Sequence, residues 1–90
     1  MAHYCAADEL DDVADVLAEI RTWPGVVERK PNIFYVGRHP FFHVHMLSDG
    51  RRRADIKGGR GWTQIDVPRP ESAAVRRALL RALRLRHGEK

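Results

Sequence analysis

Two stretches of alternating side chains, separated by a short turn, constrain this chain more than any other feature of its sequence. Phe41 to Leu47 places Phe42, Val44 and Met46 on one side and Phe41, His43, His45 and Leu47 on the other. Arg51 to Lys57 sets Arg52, Ala54 and Ile56 against Arg51, Arg53, Asp55 and Lys57. Successive strand side chains point to opposite faces, so a one-residue slip exchanges the faces and the pairing register can be argued. A two-residue Asp49-Gly50 turn pairs Val44 with Asp55 and His43 with Ile56, mixing apolar and charged groups on both faces. A three-residue Ser48-Asp49-Gly50 loop, with Gly50 left-handed, pairs Val44 with Ala54, His43 with Asp55 and His45 with Arg53. The second register gives one apolar and one polar face, and it is the expected one.

The hairpin lies inside a longer antiparallel region predicted over 26–67. Val26 to Lys30 and Ile33 to Gly37 read as strands around the Pro31-Asn32 turn. Arg38-His39-Pro40 leads into the hairpin, and Trp62 to Val67 forms a last strand after Gly58-Gly59-Arg60-Gly61. On either side stand helix patterns. Leu10, Val13, Leu17 and Ile20 share one face of a helix over 8–22, with Asp8 as its cap and Trp23-Pro24-Gly25 as its stop. Ala74, Val75, Ala78, Leu79, Ala82 and Leu83 form the stripe of a second helix over 71–87. Both stripes need covering, and the sheet face with Phe42, Val44, Met46, Ala54, Ile56, Ile65 and Val67 is the surface that can cover them. The expected fold is α+β: a two-layer sandwich of a four- to five-stranded antiparallel sheet with an N-terminal and a C-terminal helix on one face.

Ninety residues support one hydrophobic core, so residues 1–90 form a single domain, with 1–7 expected to be disordered and Cys5 an ordinary thiol there. The apolar share of 43% and charged share of 31% exclude a disordered tail. No apolar run approaches the roughly 20 residues of a membrane helix, and Met1 to Ala7 lacks the pattern of a signal peptide. The expected compartment is the cytoplasm, with no membrane partner. One cysteine excludes an intrachain disulfide and a cysteine-based zinc site. The net charge of +4 is unevenly spread: up to Glu28, seven acids (Asp8, Glu9, Asp11, Asp12, Asp15, Glu19 and Glu28) face a single base, Arg21. An acidic first helix beside a basic last helix would neutralise much of this.

Trp23-Pro24-Gly25-Val26, Phe34-Tyr35-Val36-Gly37-Arg38, His43-Val44-His45, Ala54-Asp55-Ile56 and Gly61-Trp62 followed by Ile65-Asp66-Val67 together resemble two groups of small bacterial proteins. These are the MmcQ/YjbR-like proteins and the so-called luciferase-family domain. The resemblance covers about two-thirds of the chain. It implies an αβ sandwich with a helix at each end of the sheet (α-β-β-β-β-β-α, CyaY-like), and DNA binding for the first group. The chain departs from both in having only Gly58-Gly59-Arg60-Gly61 where they carry a helical insertion.

Two histidines at i and i+2 on a strand project from one face roughly 6.6 Å apart, within reach of one metal ion. His43 and His45 are so spaced, and Asp55 opposite His43 is a third ligand or an orienting partner, with His39 as an additional ligand. His43, His45 and Asp55 are the candidate catalytic group if the protein is an enzyme. The face around them also presents Tyr35, Arg38, Phe41, Arg53, Lys57, Trp62 and Gln64. Aromatic rings among bases on an exposed sheet suit an anionic or aromatic partner, nucleic acid included. The first expectation is therefore a binding module using this face. A small metal-dependent or acid/base enzyme centred on His43, His45 and Asp55 is the alternative, and homodimerisation through the same face a third. No cofactor follows from composition; a divalent metal is what the histidine pair allows. The loop Gly58-Gly59-Arg60-Gly61 lacks the pattern of a phosphate-binding loop and reads as a hairpin connection. Arg52 is expected to reach outward from the core side by its long stem.

Overall fold

A computed structural model describes residues 3–70 and 72–89. Its strands are β1 (His3–Tyr4), β2 (Val26–Lys30), β3 (Ile33–Val36), β4 (His39–Met46), β5 (Arg52–Gly58) and β6 (Gly61–Asp66). The helices are α1 (Ala14–Ile20) and α2 (Ala73–Gly88). The sheet is antiparallel in the order β2-β3-β4-β5-β6. β1 also pairs with β4, Tyr4 opposite His45, on the edge that β5 leaves free. The α+β architecture read from the sequence is thus the one observed.

Hairpin β4–β5 has the expected register: Val44 faces Ala54, His43 faces Asp55 and His45 faces Arg53. Leu47 N–H donates to Arg51 O at 2.7 Å and closes a three-residue loop in which Gly50 has φ +87°. One core collects Phe34, Phe42, Val44, Ala54 and Ile56 from the sheet, Val67 beyond β6, Val13, Val16, Leu17 and Ile20 around α1, and Leu79 and Leu83 from α2. Arg84 bridges to Glu19 at 2.6 Å and Arg76 to Asp15 at 3.4 Å, so the acidic and basic helical segments meet. No helix among the described residues is long and apolar enough to cross a membrane.

The first helix differs from the expected span of 8–22. Two 3₁₀ turns, Ala7–Glu9 and Asp11–Val13, precede the seven residues of α1. The reason is a buried arginine. In a continuous helix the Val13 N–H would bond the Glu9 carbonyl; here it bonds Leu10 O at 3.1 Å, and Glu9 O accepts from Arg52 Nη1 at 2.8 Å. Arg52 does not reach outward. Its side chain is 1% exposed. Nε donates to Val67 O, Nη1 to Glu9 O and Asp12 Oδ1, and Nη2 to Asp12 Oδ2 and Pro68 O, all at 2.8–3.0 Å. Five N–H groups thus meet five acceptors.

Three further expectations are corrected. The segment read as disordered carries β1, and Cys5 beyond it is buried with its N–H on Val44 O at 2.8 Å; residues 1 and 2 lie outside the described residues. Phe41 is not on the outer face. Phe34 pairs with Phe42 and Tyr35 with Pro40, leaving Phe41 as an extra residue in β4. Such a bulge re-aims side chains, so Phe41 and Phe42 are both buried, Phe41 beside His87 of α2. On α2 the apolar stripe runs through Val75, Leu79, Ala82 and Leu83, while Ala74 and Ala78 are exposed. The helix starts at Ala73 after Ser72, whose hydroxyl accepts from Val75 N–H, and Glu71 lies outside the described residues.

Candidate metal centre

The outer sheet face is built by alternation on β4, β5 and β6, which aims His43, His45, Arg53, Asp55, Lys57, Trp62 and Gln64 away from the helices. At its centre both imidazoles converge on one carboxylate oxygen. His45 Nδ1 stands 2.7 Å from Asp55 Oδ2, and His43 Nε2 stands 3.2 Å from the same atom. A carboxylate at this distance requires the proton on His45 Nδ1. Arg53 completes the group: Nη2 donates to Oδ2 at 3.3 Å, and Nε lies 3.0 Å from Oδ1. That last approach lacks hydrogen-bond alignment, so Arg53 Nε and Asp55 Oδ1 meet as a buried ion pair and not as a hydrogen bond.

Although it lies on the outer face, the cluster is largely shielded. Asp55 is buried, and the two histidine side chains are 13% and 19% exposed. Tyr4 forms the roof: its ring stacks on His45 at 4.6 Å between centroids and meets His43 edge-on at 5.1 Å. Trp62 forms a wall 5.2 Å from His43. This shielding sets the charge states. Burial holds the His43 imidazole below the ordinary histidine range; the neighbouring His45 adds to that, and Asp55 pulls the other way. Burial pushes the Asp55 carboxyl up, but the hydrogen bonds from His45 and Arg53 outweigh it and hold the group below the usual range. The resting group is a carboxylate with neutral His43, both ready to ligate a metal, while His45, with its proton on Nδ1, would ligate through Nε2 or by releasing that proton.

His43, His45 and Asp55 each offer a ligand atom, and the three atoms lie within 4.8 Å of one another. Histidine nitrogens with a carboxylate suit zinc or iron(II) and other first-row divalent ions. Asp55 Oδ1 faces the Arg53 guanidinium, with Nε at 3.0 Å, so the oxygen turned toward the two histidines is Oδ2. His39 is not part of the cluster: it is exposed at the start of β4, opposite Val36.

The remaining outer-face residues are less concentrated than the sequence implies. Arg53 is engaged with Asp55, and Tyr35 is half-buried with the Arg29 guanidinium 5.1 Å from its ring centroid. Lys57 Nζ lies 5.8 Å from the Trp62 ring centroid. Arg38 and Gln64 are exposed. Tyr4 was not predicted, because a two-residue strand near the start of the chain has no periodicity to detect.

No family model matches this chain, and neither curated proteins nor solved structures provide a match.

Proposed function

We propose that this protein binds a divalent transition-metal ion through His43, His45 and Asp55 on the outer face of its sheet. The observation that carries the reading is the placement of the three ligand atoms within 4.8 Å of one another. Three protein ligands leave further coordination positions for water or a small ligand, as in catalytic rather than structural sites. A metal there would acidify a bound water or polarise a bound oxygen. Arg53 would hold and orient Asp55 through both of its carboxylate oxygens, and Tyr4 would fix the plane of the His45 ring, the roles that surrounding groups play at metal sites. Use of the same face as an aromatic and basic platform for nucleic acid has less support, because Phe41 lies in the core and Arg53 is on Asp55.

Titration of the apo protein with Zn²⁺ and with Fe²⁺ under reducing, anaerobic conditions, followed by calorimetry and backbone-amide NMR, tests this. One ion per chain should bind, moving the amides of His43, His45 and Asp55. His43→Ala and His45→Ala should each weaken binding by more than about 100-fold. No binding tighter than about 1 mM, which is roughly 4 kcal/mol, or equal binding by the two variants, would refute the proposal.

A further inference from the structure

A second site lies at the opposite end of β5, independent of the metal reading. The Gly58–Gly61 connection between β5 and β6 packs beside the end of α2, and the two enclose a cleft of about 660 Å³. Its walls include Gly59, Arg60, Thr63 and Arg86. Seated among them is a carboxylate supplied by the chain itself. Glu89 Oε1 accepts from the Gly59 N–H at 3.1 Å, and Oε2 accepts from Arg86 Nη1 at 3.0 Å. Thr63 Oγ1 in turn accepts from Arg86 Nε at 3.1 Å, which fixes the guanidinium in its orientation. Gly58 makes room for this arrangement, since a Cβ there would stand 2.5 Å from Glu89 Oε1 and 2.6 Å from Arg86 Cδ.

A backbone N–H from a glycine-rich turn together with a guanidinium is a donor set that binds phosphate as readily as carboxylate. The Gly59 hydrogen bond, aided by Arg86 and Arg60, holds the Glu89 carboxyl below its usual range, so the occupant is an anion. Glu89 is also exposed and lies just beyond α2, where its side chain can swing out without disturbing the core. We infer that this cleft is a binding site for a phosphate group, in which the Glu89 carboxylate is the internal occupant that an incoming phosphate displaces. The ligand is inorganic phosphate or a phosphate monoester; both present the same oxygens to Gly59 and Arg86.

Binding of inorganic phosphate and of phenyl phosphate, followed by amide shifts in NMR, tests the inference on the wild type, Glu89→Gln and Arg86→Gln. Removing the competing charge in Glu89→Gln should tighten phosphate binding by about two- to fivefold, the scale of one exposed charged contact, with the Gly59 amide moving most. Tighter binding of phenyl phosphate than of inorganic phosphate would assign the site to esters, and the reverse order to the free ion. Arg86→Gln should abolish the shifts, and a circular dichroism spectrum matching wild type would show that this loss is not unfolding. If Glu89→Gln shows no Gly59 shift at tens of millimolar phosphate, the inference is wrong. It is equally wrong if Glu89→Gln and wild type bind alike. Should Arg86→Gln not fold, the comparison of Glu89→Gln with wild type decides alone.

Discussion

Replacing Asp12 by alanine should destabilise this small domain more than any other removal of a single surface carboxylate. The Arg52 side chain is 1% exposed and the Asp12 side chain 18%, and Asp12 supplies two of the five acceptors of that guanidinium, each at 2.8 Å. Hydrogen bonds to charged groups contribute about 1.5 to 3 kcal/mol each. Breaking a buried pair from one side costs about 3 to 5 kcal/mol, because an uncompensated charge stays inside. A chain of this length has roughly 5 to 13 kcal/mol of stability in all. Even the lower cost should reduce the thermal midpoint by about 12 to 24 °C, at about 4 to 8 °C per kcal/mol for a domain of this size. Urea unfolding followed through Trp23 and Trp62 fluorescence measures the free-energy cost, and a thermal melt the midpoint. Pairing Asp12→Leu with Arg52→Met should recover part of the loss, since apolar replacement of a whole buried pair is often tolerated. Recovery should stop short of wild type because the carbonyls of Glu9, Val67 and Pro68 lose their donor. A cost below about 1 kcal/mol for Asp12→Ala, the range of an exposed ion pair, would refute this account of Arg52.

Three further outcomes are expected. Tyr4→Ala removes the ring stacked on His45, which should cost about 0.5 to 1.5 kcal/mol and shift the ring protons of His43 and His45 in NMR; unchanged ring resonances would mean that Tyr4 does not cover the cluster. Burial pushes the Cys5 thiol up to about 11, so it stays protonated at pH 8 and should react with iodoacetamide only after denaturation. Its share of stability is present below the ordinary thiol value of 9.0 and fades as pH rises toward 11, a loss that should be missing in Cys5→Ala. Gly50→Ala forces a side chain into φ +87° and should lower stability by about 1 to 2 kcal/mol in urea unfolding; an unchanged midpoint would contradict the loop geometry.

The outer-face cluster was legible because its neighbours leave one register open. Only the three-residue loop separates Val44 and Ala54 from His43 and Asp55, and that pairing brings two histidines and a carboxylate together. What was not legible depends on long-range contacts without a period. Tyr4 reaches the site through two residues of strand, and Phe41 enters the core through one extra residue in β4. Neither leaves a trace in alternation. The break in the first helix is of the same kind, since the group that takes the Glu9 carbonyl lies 43 positions away.

Arg51, Arg52 and Arg53 show why composition says so little here about partners. As a basic run they suggest one patch for an anionic ligand. Strand geometry sends them to three separate tasks. Arg51 is exposed and pairs with Asp49 at 2.7 Å within its own turn, a contact of little energetic weight. Arg52, one residue on, faces the helices and ties the segment before α1 to the end of the sheet. Arg53 returns to the outer face and lies 3.0 Å from the carboxylate that the histidines share. The clamp made by Arg52 bears on the site as well. It fixes Glu9, whose carboxylate accepts from the Ala6 N–H at 2.9 Å, and so limits where the segment carrying Tyr4 can lie over His45. Loosening Arg52 should therefore disturb the histidine cluster from the far side of the sheet, although no atom of Arg52 belongs to it.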